Sequence, residues 1–147
     1  DKVLFFALVF INIKTRFMLK LKDIFSGFVG GAIGGMAVDL IFITFIGPSA
    51  LFTLLGITGR YAVFFSHVIL GGIMGVFFII IARKFVKFNF VLAGLLWGYV
   101  CLIFLGAIPS LFTKYIVVTP IVTFFSFLVW SLYGVILAVT IKIIEKK

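Results

Sequence analysis

Charged residues are scarce in this sequence, and acidic residues are the scarcest of them. Of 147 residues, 12% are charged and 65% are hydrophobic, with four Asp or Glu against 13 Lys or Arg. A soluble domain has about a quarter of its residues charged, so too few polar side chains are present to cover a water-facing surface. The composition therefore predicts an integral membrane protein.

Cysteine and histidine are nearly absent as well. Cys101 is the only cysteine, which excludes an intrachain disulfide, and His67 is the only histidine, which excludes a site with several histidine ligands. The metalloprotease and phosphate-loop motifs are missing. Ser66 and His67 are neighbours on a helix and point about 100° apart, so they cannot form a nucleophile–base pair. We expect no enzymatic activity, no metal and no cofactor.

The net charge of +9 would suggest nucleic acid as the partner of a soluble protein. Here the basic residues form short clusters between long apolar runs, where they set membrane topology and contact anionic headgroups. We expect the lipid bilayer, and no nucleic acid, to be the partner of these clusters.

Four apolar windows reach the roughly 20 residues that a helix needs to cross a bilayer. They are residues 24–46, 62–82, 89–108 and 120–141. Thr119 is a good N-cap for the last window, with Pro120 at its first helical position. The pattern predicts an all-α, polytopic transmembrane four-helix bundle that forms one domain over residues 23–147. Residues 1–22 are interpreted as a short apolar and basic interfacial segment, or in part as chain upstream of a start at Met18.

The basic residues lie mostly on one side of the predicted membrane. Ten of them precede the first window, separate the second from the third or follow the fourth: Lys14, Arg16, Lys20, Lys22, Arg83, Lys84, Lys87, Lys142, Lys146 and Lys147. Arg60 and Lys114 lie on the other side. The positive-inside rule places both termini in the cytoplasm, and we expect the bacterial cytoplasmic (inner) membrane as the location.

The two halves of the chain resemble each other. Pro48-Ser49-Ala50-Leu51-Phe52 recurs as Pro109-Ser110-Leu111-Phe112, Phe64-Phe65-Ser66 recurs as Phe124-Phe125-Ser126, and Gly75-Val76 recurs as Gly134-Val135. Gly31 and Gly35 match Gly94 and Gly98. Similar motifs in the same order predict two similar helical hairpins in one orientation, although chance similarity of apolar sequences is the alternative.

Glycines at a spacing of four form stripes on the first two predicted helices, and each stripe leads to an ionisable residue. Gly27, Gly31 and Gly35 lead to Asp39 in the first helix, and Gly75 and Gly71 lead to His67 in the second. Small residues on one face let helix backbones approach closely. One antiparallel register then pairs Gly31 with Gly75, Gly35 with Gly71 and Asp39 with His67, about 10 Å below the outer surface. The corresponding positions of the second half are near Leu102 and Ser126.

Two interpretations of Asp39 and His67 remain open. They form either a buried structural pair that locks the hairpin or a proton or cation site reached from outside, since histidine changes charge near neutral pH. The second half has Trp97, Cys101, Trp130 and Tyr133 near mid-membrane. These four are interpreted as aromatic core packing or as a pocket for a planar or amphipathic ligand.

Three stretches carry a family resemblance: Phe25-Ser26-Gly27-Phe28-Val29-Gly30-Gly31, Gly94-Leu95-Leu96-Trp97-Gly98 and Leu132-Tyr133-Gly134-Val135-Ile136-Leu137. Over residues 18–144 the chain resembles a family of small uncharacterised four-helix inner-membrane proteins of low-GC, often spore-forming, bacteria. The resemblance implies a four-helix membrane fold and no known activity. Gly27 through Asp39 with the Pro48 loop is also similar to an early helix of the substrate-binding components of energy-coupling vitamin transporters, which normally have six helices.

The sequence thus favours a non-enzymatic membrane bundle that acts by helix packing in a homo-oligomer or a larger membrane complex. The glycines expected to carry this packing are Gly27, Gly31, Gly35, Gly71, Gly75, Gly94, Gly98 and Gly134. The alternative is a small transporter, or a transporter substrate-binding subunit, with a proton-linked or cation-linked site at Asp39 and His67.

Overall fold

A computed structural model describes residues 21–45, 50–85, 89–112 and 119–146 of the chain. These residues are helical apart from short turns, and they include four helices long and apolar enough to cross a membrane. The predicted all-α class with four apolar helices is confirmed. Residues 1–20 of the predicted interfacial segment lie outside the described residues. The Gly47-Pro48-Ser49 break, Lys87, Lys114 and Lys147 also lie outside them.

Seven helical elements follow one another along the described chain. They are α1 (Leu21–Phe45), α2 (Ala50–Leu54), α3 (Arg60–Phe85), α4 (Phe90–Cys101), π1 (Leu102–Ala107), α5 (Ile108–Ser110) and α6 (Pro120–Glu145). Helices α1, α3 and α6 extend beyond the predicted apolar windows, chiefly at charged residues. Backbone hydrogen bonding continues through charged positions, so these helices run on past the end of the hydrophobic pattern.

Side-chain caps begin the last two long helices. The carboxamide oxygen of Asn89 accepts a hydrogen bond from the amide of Val91 at 2.9 Å, so Asn89 caps α4 and is not part of the helix as the predicted window had it. The hydroxyl of Thr119 accepts from the amide of Val122 at 3.2 Å, and Pro120 occupies the first turn. Both caps satisfy amides that have no partner within the helix.

The third apolar helix widens into a π-helix near its end. In π1 the amide of Ile108 donates to the carbonyl of Ile103, five residues back, and α5 then carries the chain past Pro109. Proline has no amide hydrogen, and its ring clashes with a carbonyl four residues before it in an α-helix. The wider π turn relieves that clash, so the helix continues to Ser110 where the sequence predicted a break before Pro109.

The long helices form a row in the order α3, α1, α6, α4, in which each packs closely against its neighbours, while α3 and α4 make few contacts with each other. At one end, here called the base, the Arg83 guanidinium lies 2.7 Å from the Asp23 carboxylate and also contacts Glu145. The base therefore joins the start of α1 to the ends of α3 and α6. At the opposite end, here called the roof, α2 packs against π1 and α5.

Candidate functional site

Helices α1 and α3 meet along what we call the first glycine seam: Gly27, Gly31 and Gly35 of α1 with Gly71 and Gly75 of α3. A Cβ atom at Gly31 would overlap the carbonyl of Gly71 and the Cα atom of Gly75, and one at Gly71 would stand 2.5 Å from the carbonyl oxygen of Gly31. The two backbones are therefore in direct contact. No side chain larger than hydrogen fits between them unless the helices separate.

Asp39 and His67 come one turn beyond the glycine contacts on their respective helices. Oδ1 of Asp39 lies 2.6 Å from Nδ1 of His67. Asp39 is 2% exposed and His67 is 8% exposed, so both are withdrawn from the surrounding medium. The seam brings the two ionisable residues together because it holds the backbones of α1 and α3 in contact. One turn further on, the two side chains then lie at the same level along the helix axes and face each other.

The roof helix covers this pair. Phe52 of α2 is 3% exposed, and the edge of its ring meets the imidazole of His67 with 4.4 Å between the ring centroids. The chain leaves α2 through Gly56, whose φ of 72° suits glycine. The amide of Ile57 donates to the carbonyl of Phe52 at 2.8 Å and closes the turn. An aromatic ring thus separates the histidine from the roof end of the bundle.

His67 also borders a small cavity, here called the central cavity. The cavity is lined by Gly35, Val38, His67, Leu70, Gly71, Met74, Leu105, Trp130 and Tyr133. It has room for about one or two water molecules. The hydroxyl of Tyr133 donates to the carbonyl of Gly71 at 3.0 Å and so ties α6 to the first glycine seam beside the cavity.

The four residues of the second half that the sequence predicted to lie near mid-membrane have different surroundings. Trp130 and Tyr133 are buried, pack edge to face and line the central cavity. Cys101 is buried in the apolar core. Trp97 packs against Phe78 of α3, and within the described part of the chain its indole nitrogen has no hydrogen-bond partner. The structure therefore brings two of the four together at this small cavity, and a ligand pocket made by all four stays a prediction.

The remaining predicted glycines form a second glycine seam, made of Gly94 and Gly98 of α4 with Gly134 of α6. A Cβ atom at Gly94 would overlap the carbonyl of Gly134, and one at Gly98 would overlap the carbonyl of Trp130. All eight glycines singled out in the sequence thus lie between helices of one chain. Gly30 and Gly34 were not singled out, yet they let α1 approach α6, where Tyr133 packs against Gly34.

The described residues offer few ligands for a metal ion. They contain no group of three or more His, Cys, Asp or Glu side chains that could hold one. The Asp39–His67 pair supplies one carboxylate and one imidazole, and what this arrangement can do chemically is hold or release a proton. Phe52 and the Tyr133–Gly71 hydrogen bond were not predicted from the sequence, since no periodic pattern marks a contact between a loop helix and a buried histidine.

Comparison of the chain with protein-family models, with curated proteins and with solved structures found no match. The family resemblance stated above stays a prediction.

Proposed function

We propose that this chain is a non-enzymatic integral membrane protein that serves as a helical-bundle component of a homo-oligomer or a larger membrane complex. The supporting observation is the outward face of the four long helices. Large apolar side chains such as Leu40, Phe65, Phe104 and Phe124 are more than half exposed there. A surface of this kind needs lipid or another apolar helix against it.

In the proposed topology the base and both termini face the cytoplasm of a bacterial inner membrane. Lys22, Lys84, Lys142 and Lys146 belong to the base end of the described helices, and Arg60 begins α3 at the roof end. The basic side then contacts anionic headgroups. Since the eight predicted glycines are used inside the chain, association with a partner would rest on the outward apolar faces.

The glycine contacts support duplication of an ancestral hairpin. Gly31 meets Gly71 as Gly94 meets Gly134, and Gly35 meets the carbonyl of His67 as Gly98 meets the carbonyl of Trp130. On this correspondence the counterpart of His67 is Trp130, one turn away from the Ser126 that the sequence motifs suggest. Leu102, the first residue of π1, remains the counterpart of Asp39.

The topology is tested with single cysteines in a Cys101→Ser background. Gly59→Cys at the roof end and Lys146→Cys at the base are each treated in intact cells with a membrane-impermeant maleimide. We expect labelling of Gly59→Cys alone, with Lys146→Cys labelled only after the cells are opened. The reverse pattern would contradict the proposed orientation. A molecular mass of one chain in native nanodiscs, with no co-purifying membrane protein, would contradict the role in an assembly.

A second candidate function is a small transporter, or a transporter substrate-binding subunit, with a proton-linked or cation-linked site at Asp39 and His67. It is favoured by one observation: the buried pair is flanked by the central cavity, to which three helices and π1 contribute. An intramembrane ionisable residue is costly and is often retained for function. Saturable, pH-dependent uptake that is lost in Asp39→Asn supports this function. If Asp39→Asn and His67→Phe leave uptake intact and only lower thermal stability, the pair is structural.

A further inference from the structure

The Asp39–His67 pair, the Phe52 ring above it and the central cavity beside it form one continuous arrangement. We propose that the pair is a proton site, that protons reach it from the roof end, and that Phe52 is a movable cover on that route. This inference rests on the second candidate function, because it names the ligand and the access side of the same site.

The distance between the two side chains favours a proton over a metal ion. A zinc ion binds a nitrogen or an oxygen at about 2.0 Å with tetrahedral angles, which separates two ligand atoms by more than about 3 Å. Oδ1 of Asp39 and Nδ1 of His67 are 2.6 Å apart. A nitrogen and an oxygen that close together cannot both bind one zinc ion, whereas a proton needs only one of them.

Proton exchange at this pair needs no other reactant. With one proton the pair consists of a carboxylate and a neutral imidazole, and its charge is −1. Uptake of a second proton from water forms a bond to the imidazole or the carboxylate and makes the pair neutral; release returns that proton to water. The other titratable group on the cavity, Tyr133, is engaged as a hydrogen-bond donor to the Gly71 carbonyl, and Cys101 lies in the apolar core. Leu105 of π1 and Phe52 of α2 add no charge.

The route from the base is closed by backbone. Below the pair, the contacts of Gly31 with Gly71 and of Gly27 with Gly75 leave no space between α1 and α3. The Tyr133–Gly71 hydrogen bond fixes α6 at the same height. From the roof end, by contrast, His67 lies seven residues into α3, or about 10 Å.

The cover on the roof side is a side chain of the short helix α2. Helix α2 has five residues, and its Phe52 is buried against His67. Short elements with few backbone hydrogen bonds open at a lower free energy than the long helices of a core. Displacement of the Phe52 ring removes the cover that the described residues place on the imidazole at this end, while the first glycine seam stays intact.

The single histidine makes the proton site directly observable. The protein is labelled with 15N-histidine in nanodiscs, so that one imidazole is followed between about pH 5 and pH 8. We expect its nitrogen signals to shift with pH, and the midpoint to move in Asp39→Asn. Signals that stay constant across this range would overturn the proton assignment, as would a displacement of the titration by zinc chloride at constant pH.

The route is tested by the rate at which diethyl pyrocarbonate modifies His67, read at that residue by mass spectrometry. We expect Phe52→Ala to raise the rate roughly tenfold, which corresponds to about 1.4 kcal/mol of opening free energy. Phe52→Leu should give a smaller increase. The matched control is Leu54→Ala, since Leu54 is on the same helix and half exposed.

The outcomes separate the two proposals. Equal modification rates in Phe52→Ala, Phe52→Leu and Leu54→Ala would overturn the cover and the route, while leaving the transport function open. If His67 titrates and Phe52→Ala speeds its modification, but no pH-dependent uptake is found, the transport function fails and the proton site stands. A Phe52→Ala protein that unfolds is replaced by Phe52→Leu, whose side chain keeps most of the apolar contact.

Discussion

The two glycine seams join different helix pairs by the same contact and differ one turn further on. In the first seam Gly35 is followed by Asp39, which meets His67 at 2.6 Å. In the second seam Gly98 is followed by Cys101 and π1. Gly98 faces the carbonyl of Trp130, as Gly35 faces the carbonyl of His67. The same backbone contact between glycines is thus followed by a carboxylate–imidazole pair in one seam and by an aromatic residue in the other.

The same comparison explains why the row of helices is open on one side. Gly30 and Gly34 bring α1 against α6, with Tyr133 seated on Gly34. By the glycine correspondence, Trp97 stands in α4 where α1 has Gly34, and it packs against Phe78 of α3. A tryptophan at this position keeps α4 away from α3. The difference between a glycine and a tryptophan at this position therefore accompanies the difference between the close α1–α6 contact and the wider α3–α4 separation.

The largest expected effect is on the Asp39–His67 pair, which the first seam alone contains. His67→Phe should lower the free energy of unfolding in detergent by about 3 to 5 kcal/mol, because it leaves the Asp39 carboxylate buried without its partner. The double variant Asp39→Leu with His67→Phe should recover much of this loss, since it removes both polar groups. Additive effects of the two substitutions in a double-mutant cycle would contradict the coupling.

The next effect compares the seams directly. Gly31→Ala and Gly134→Ala each place a methyl group onto a facing carbonyl, and each should lower the unfolding free energy by about 1 to 3 kcal/mol. Gly59→Ala is the control, because a Cβ atom there lies 3.7 Å from its nearest neighbour. A Gly134→Ala protein as stable as Gly59→Ala would mean that the second seam is looser than the first.

The smallest effect tests the link between the two helix pairs. Tyr133→Phe removes the hydrogen bond to Gly71 and should lower the unfolding free energy by about 0.6 kcal/mol, the usual value inside a membrane. Tyr99 is the control: its hydroxyl accepts a hydrogen bond from Ser131 within the second pair, at 3.2 Å and only partly buried. If Tyr99→Phe lowers the unfolding free energy more than Tyr133→Phe does, the Tyr133–Gly71 hydrogen bond is not the stronger of the two.

Much of the fold could be predicted from the sequence because membrane helices carry long-range information in simple patterns. Apolar length marks the four helices, and glycines at a spacing of four mark the faces that meet. Once Gly31 is paired with Gly75 and Gly35 with Gly71 between antiparallel helices, the juxtaposition of Asp39 and His67 follows from the helical repeat. The predicted pairs of Gly31 with Gly75 and of Gly35 with Gly71 are both among the observed neighbours.

What could not be predicted depends on contacts that have no period. Phe52 reaches His67 from a five-residue helix whose position is set by the turn that follows it. Helix π1 depends on how the chain accommodates Pro109, which the sequence pattern read as a helix end. The aromatic residues of α4 and α6 share helix faces, yet Trp97 turns toward α3 while Trp130 and Tyr133 turn toward the cavity.

In the proposed topology, the cluster at the base has a consequence for how the chain would enter a membrane. During insertion Arg83 would count as one of the basic residues that hold a loop in the cytoplasm, because nearby carboxylates weigh little at that stage. After folding, Arg83 is occupied by Asp23 and Glu145. Its guanidinium also offsets the unfavourable placement of Glu145 at the negative end of the α6 dipole. In the proposed topology, one side chain would thus serve insertion first and helix assembly afterwards.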